Sequence, residues 1–166
     1  MQWRAPHICS AIKEVLNPES VLDVGCATGD LVKGFLDLGV DAYGLDKYVT
    51  PEEMVMPESR LYRMDVCEWM GMDNMGPERK FDLVTCIEVL GVVRKTGKLL
   101  GNLVAWSNTI LLSAAPEIKE AEEGFLYGIG FRRAKDAENK IRLPLEPYKH
   151  KLAIKAFYNG MAIWRK

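Results

Sequence analysis

The feature that most constrains this chain is an alternation of short apolar runs with segments of helical spacing. The runs are Val21–Cys26, Asp41–Asp46, Leu61–Val66, Phe81–Ile87 and Thr109–Ala115. Most are dominated by apolar residues, as in strands that are covered on both faces. Residues Ala5–Leu16 predict a leading helix ended by Asn17-Pro18. Leu31, Val32, Phe35, Leu36 and Leu38 form a helical stripe, with Gly39 as its stop. Thr96–Ser107 carries Leu99, Leu100, Leu103 and Trp106 at helical spacing, and Glu117–Tyr127 reads as a further helix. Strand–helix alternation of this kind predicts a parallel sheet with right-handed crossovers.

The last 36 residues read differently. "FRRAKDA" (131–137) fits a sixth strand and "MAIWRK" (161–166) a closing seventh. Between them "YKHKLAIKAF" (148–157) fits either a helix or an alternating strand. Asn159-Gly160 is a hairpin-turn signal that would pair Lys151–Phe157 with Met161–Arg165. A helix leading into a final strand from near Tyr158 is the expectation. The resulting fold class is α/β: a doubly wound, mostly parallel seven-stranded sheet, helices on both faces, the last strand antiparallel.

At 166 residues the chain is expected to form one domain, 1–166, of a size that buries roughly 70% of its unfolded surface. No apolar run approaches the roughly 20 residues that span a bilayer, so no membrane partner is expected. The first residues lack the charged-then-apolar layout of a secretory signal. Cys9, Cys26, Cys67 and Cys86 are dispersed and His7 and His150 are the only histidines, which argues against a disulfide framework or a metal centre. A cytoplasmic location is the default. The formal net charge of −1 conceals an asymmetry, because residues 131–166 hold ten Lys and Arg against three Asp and Glu. Such a segment is either a solvated basic face or a surface for an anion or nucleic acid.

Chemistry concentrates in "VLDVGCATGD", residues 21–30, where the first strand breaks into a loop between Gly25 and Gly29. A glycine turn from strand to helix brings backbone close to a ligand at the carboxyl end of a sheet. The dinucleotide fingerprint G-x-G-x-x-G fails here, because Ala27 stands at its third position and Asp30 at its sixth. Asp30 is an anion where a pyrophosphate needs room. The G-x-x-x-x-G-K-[ST] loop is also missing, so a phosphate ligand is disfavoured.

This stretch resembles the first motif of class I S-adenosylmethionine-dependent methyltransferases, an acidic strand residue followed by a G-x-G/A-x-G loop. The resemblance continues along most of the chain: "AYGLD" ending in Asp46, "LYRMDV" ending in Asp65-Val66, "FDLVTCIEVL" at the fourth strand and "ILLSAAP" at the fifth. It implies S-adenosylmethionine as methyl donor, with no metal. Asp23, Gly25, Cys26, Ala27, Gly29, Asp46, Lys47, Asp65, Val66 and Cys86 are its expected contacts. Asp46 matches the residue that holds both ribose hydroxyls, a task suited to an acceptor-only carboxylate. Asp65 matches the position that receives the adenine amino group. In this frame residues 1–20 form a leading helix, 21–115 the cofactor half and 116–166 a basic, substrate-side half.

The fourth motif narrows the acceptor by exclusion. Cys86-Ile87-Glu88-Val89 lacks the Asp/Asn-Pro-Pro-aromatic loop of amino-methylating nucleic-acid enzymes. Thr85 stands where a Pro-Cys nucleophile needs proline, and one glutamate stands where protein-arginine enzymes have two. The pattern is closest to the small-molecule group, although Gly91-Val92 replaces the Glu-His common there. A methyl transfer to oxygen or nitrogen of a small molecule is the leading expectation, driven mainly by proximity and orientation. Glu88, His7 and Tyr127 are the candidates for a general base, and Trp3, Trp69 and Tyr127 for an aromatic wall. The alternatives are a nucleic-acid methyltransferase that uses residues 131–166, and a cofactor-binding scaffold without turnover.

Overall fold

The computed structural model describes residues 4–69, 77–113, 123, 124, 126, 128–138 and 161–166. Its elements run α1 (Ala5–Leu16), β1 (Ser20–Val24), α2 (Asp30–Asp37), β2 (Asp41–Asp46), β3 (Leu61–Arg63), β4 (Leu83–Ile87), α3 (Thr96–Trp106), β5 (Thr109–Ser113), β6 (Arg132–Arg133) and β7 (Met161–Arg165). The seven strands form one sheet in the order β3-β2-β1-β4-β5-β7-β6. The first five pair in parallel, and β7 runs antiparallel to both β5 and β6. Strand order reverses between β1 and β4, which opens a crevice at their carboxyl ends.

Period-two alternation divides the core between the two faces of the sheet. Val21, Ala42, Leu83, Leu111 and Ile163 pack with Ile8, Ile12, Leu31 and Phe35 of α1 and α2. Leu22, Leu45, Val84, Ile110, Leu112 and Trp164 pack with Leu99, Leu100, Leu103 and Trp106 of α3. Helices therefore cover both faces, as the apolar runs require.

β2 matches its run, Asp41–Asp46, whereas β1, β3 and β4 are shorter than theirs, for local reasons. β1 stops at Val24 because Gly25 turns at φ +76°. The third strand was expected through Val66 but ends at Arg63. Met64 still donates its N–H to Asp46 O at 3.2 Å, but the Asp65 carboxylate then takes the Cys67 N–H at 2.8 Å and Asp65 O the Glu68 N–H at 3.0 Å. That turn removes the donors a longer strand would use. The fourth strand begins at Leu83 rather than Phe81, and α3 ends at Trp106, with Ser107 already extended. The sixth strand is only two residues long and gives way to a helical turn at Lys135–Glu138. Expectations for Glu117–Tyr127 fall mostly outside the described residues, and those for 148–160 entirely so.

Candidate active site

The crevice is a cavity of about 640 Å³, within the usual range for small-molecule sites. Seven of the sequence-derived candidates line it: Gly25 and Ala27 from the loop after β1, Asp46 and Lys47 from the end of β2, Asp65 and Val66 after β3, and Glu88 after β4. Tyr48, Cys67, Glu68 and Val89, Val92, Val93, Arg94 and Lys95 of the β4–α3 loop complete most of the rim.

Asp46 ties β2 to the loop. Its Oδ2 accepts the N–H of Ala27 at 3.1 Å, and its Oδ1 accepts the N–H of Tyr48 at 2.8 Å. Ala27 sits at φ +47°, a left-handed conformation uncommon for a residue with a side chain. Gly25 donates its N–H to Leu45 O at 2.7 Å, which further fastens the loop to β2. Gly29 (φ +85°) opens α2, and Thr28 Oγ1 donates to Asp30 Oδ2 at 2.7 Å. The start of the helix thus carries a carboxylate.

The glycines also serve the protein's own packing. A Cβ at Gly25 would lie 2.3 Å from Val89 Cγ2, and one at Gly29 would lie 2.5 Å from Met56 Cγ. A third such contact is at Gly44 in β2, where a Cβ would meet Cys26 Sγ at 2.5 Å. Sequence reading missed the roles of Val89, Met56 and Gly44, because nothing local links residues so far apart.

On the β3 side, Asp65 Oδ2 accepts from Lys47 Nζ at 2.6 Å, and Oδ1 holds the Cys67 N–H. The Lys47 ammonium keeps the Asp65 carboxyl below the usual carboxylate range, and the same bond raises Lys47. Asn102 of α3 donates its amide to Val66 O and Trp69 O, which props the segment from below. No sequence signal marked Asn102. Glu88, at φ +61°, is a second non-glycine residue in the left-handed region at the cavity wall. Its carboxylate lies 4.0 Å from the Arg4 guanidinium.

The remaining candidates lie elsewhere. Asp23 is buried within β1 and does not line the cavity; Thr85 Oγ1 donates to its Oδ1 at 2.7 Å. Burial pushes its carboxyl up to about 7, against the lowering effect of the Thr85 bond, and the nearby Asp46 charge raises it further. Cys26 and Cys86 are buried, their thiols raised chiefly by desolvation, which suits inert core positions. Neither lines the cavity, nor does Gly29. His7 is exposed on α1 and also lies outside the cavity wall. Trp69 packs at a tilt against Trp106, ring centroids 4.7 Å apart, and is not a wall residue. Trp3 and Tyr127 fall outside the described residues. So does most of the basic segment; within its described part, Arg133 is committed to Glu138 and Glu123. Among the described residues there is no cluster of three or more metal-ligating side chains, and no helix is long and apolar enough to cross a membrane.

A family model described as a methyltransferase domain matches residues 2–123. With the sheet order above, the chain belongs to the class I S-adenosylmethionine-dependent methyltransferase family. No protein of curated function matches it in sequence. Among solved structures, it is similar to a TehB-like S-adenosylmethionine-dependent methyltransferase from Corynebacterium glutamicum (15% identity, TM-score 0.63, covering 96% of this chain and 87% of that one). It is also similar to magnesium protoporphyrin IX methyltransferase from Synechocystis with S-adenosylmethionine bound (20% identity, TM-score 0.57, 98% and 80%). The third is CalS10, an amino pentose methyltransferase from Micromonospora echinaspora, also with S-adenosylmethionine bound (18% identity, TM-score 0.51, 68% and 50%). The chain spans about half the length of CalS10. At these identities the likeness is one of fold.

Proposed function

We propose that this chain binds S-adenosylmethionine in the cavity at the carboxyl ends of β1, β2 and β4 and transfers its methyl group to an oxygen or nitrogen of a small molecule. The observation that carries the reading is Asp46: one carboxylate faces the cavity and at the same time holds Ala27 and Tyr48 by their N–H groups. Each oxygen keeps a further lone pair, so the acceptor is fixed in place before two vicinal hydroxyls arrive. Asp65 takes the nucleobase amino group, and the backbone of Gly25–Ala27 lies along the amino-acid end. The pair of acceptors fits the cofactor, since both ends of its nucleoside are donors and both residues offered are carboxylates.

The bound cofactor supplies an already activated methyl group, so the protein's part is to align the acceptor and exclude water. The apolar Val89, Val92 and Val93 beside the cavity suit an acceptor with an apolar body. Glu88 is the wall carboxylate offered for a departing proton. The small-molecule assignment draws support from the acceptors named for the structural neighbours, an amino pentose and a magnesium porphyrin.

The test is calorimetry with S-adenosylmethionine and its demethylated product, S-adenosylhomocysteine, on wild type and Asp46→Ala. Loss of charged hydrogen bonds predicts affinity weakened by about tenfold or more in the variant. Failure of wild type to bind either compound overturns the reading, and an unaltered Asp46→Ala overturns the ribose assignment. Methyl-labelled cofactor offered with small-molecule pools then separates an enzyme from a scaffold, which binds but transfers no label.

A further inference from the structure

Lys47 follows Asp46 directly, at the end of β2, and its side chain reaches the segment after the neighbouring strand β3. Its Nζ donates to Asp65 Oδ2 at 2.6 Å and lies 4.6 Å from the centroid of the Tyr48 ring. The second oxygen of Asp65 accepts the Cys67 N–H at 2.8 Å. Both oxygens of this carboxylate therefore accept from the chain's own donors; each keeps a lone pair, as at Asp46, but here one donor is a cation that neutralises the acceptor's charge. The ammonium adds a charge–charge attraction that a neutral amino group lacks, so its bond to the carboxylate is the stronger of the two. An incoming nucleobase amino group thus meets an acceptor that a stronger donor already holds.

We infer that Lys47 competes with the cofactor's nucleobase amino group for Asp65, and so holds cofactor affinity down. This rests on the assignment of Asp65 under the proposed function. It reverses the expected sign for Lys47, which the sequence places among the groups that hold the cofactor. Two features let the competition be settled at low cost. The Lys47 side chain is 39% exposed, so its ammonium can be released to water. Asp65 is anchored independently through Cys67, so the carboxylate stays in place when Lys47 leaves. A half-exposed ion pair of this kind corresponds to about a two- to fivefold change in affinity.

The test is calorimetric titration of S-adenosylhomocysteine into wild type, Lys47→Met, Lys47→Arg, Asp65→Asn and the double variant Lys47→Met/Asp65→Asn. Methionine keeps an unbranched stem without the charge, arginine keeps the charge, and asparagine keeps an acceptor for the Cys67 N–H. Lys47→Met is expected to bind about two- to fivefold more tightly than wild type, and Lys47→Arg to bind as wild type does. Asp65→Asn is expected to lose more affinity in the Lys47→Met background than in the native one, the signature of two donors sharing one acceptor. Equal or weaker binding by Lys47→Met overturns the inference, as do equal losses from Asp65→Asn in both backgrounds. In those cases wild type still binds, and the proposed function stands. If neither wild type nor Lys47→Met binds, the proposed function falls and this inference falls with it.

Discussion

Asp23 and Thr85 are register partners across the β1–β4 pair, and the threonine hydroxyl donates to the aspartate at 2.7 Å within the sheet. Asp23 is 3% exposed, and its bond to Thr85 links the two strands at which the strand order reverses.

That burial gives stability a pH dependence. The folded carboxyl is raised to about 7, so the native state binds more protons than the unfolded chain between about pH 4 and 7. The Asp23 contribution to stability is therefore full below the unfolded value and falls as pH rises through 7. Asp41 and Asp65, which are lowered, act in the opposite direction at more acid pH. Denaturant titrations from pH 4 to 8 should show Asp23→Asn, which keeps an acceptor for Thr85, flattening the slope seen in wild type.

Gly25→Ala should destabilise the fold by about 3 kcal/mol, because the new Cβ meets Val89 and the residue must hold φ +76°. Val89→Ala in the same chain should restore the steric part and leave about 1 kcal/mol of backbone strain. Urea midpoints of the two single variants and the double variant decide this. Simple additivity would show that Val89 is not the obstacle.

At the opposite end of the sheet, Asp82 Oδ2 accepts the N–H groups of Glu19 and Ser20 and the Ser20 hydroxyl, and Asp82 N–H donates back to Ser20 Oγ. Asp82→Ala should cost about 1 kcal/mol of stability. Because this clasp is remote from the cavity, affinity for S-adenosylhomocysteine should not move. A parallel loss of binding would mean that the loop and the strand entrance are coupled.

Glu138 joins the two antiparallel strands: Oε1 accepts from Ile163 N–H and Arg133 Nε at 2.7 Å each, and Oε2 from Arg133 Nη2 at 2.8 Å. Glu138→Ala should cost about 2 kcal/mol, since it removes three hydrogen bonds and leaves the partly buried guanidinium with the longer contact to Glu123. Hydrogen exchange should show faster exchange at the Ile163 amide, with the Leu22 and Leu45 amides unchanged.

The parallel half of the sheet was legible because its strands are buried on both faces and read as apolar runs. α1 matched its expected bounds because Pro18 and the left-handed Asn17 close it. The third strand was misjudged in length, because "LYRMDV" keeps strand chemistry through Val66 while the Asp65 side chain captures the backbone. Asp46 and Asp65 were visible as carboxylates at strand ends. The pairing of Lys47 with Asp65 was not, because it depends on β2 and β3 lying side by side. Asp23 matches the motif's acidic position, yet it is buried within β1, bonded to Thr85, and does not line the cavity. Contacts such as Val89 on Gly25 join residues 64 apart and leave no trace in any local pattern.

Glu88 stands in the left-handed region at the cavity wall, a conformation that glycine adopts freely and glutamate does not. A redesign guided by folding free energy alone would therefore be drawn early to this position and would replace the side chain with hydrogen. If Glu88 takes the departing proton, as proposed, the gain in thermal tolerance would come at the expense of turnover, and the two would be opposed at a single codon.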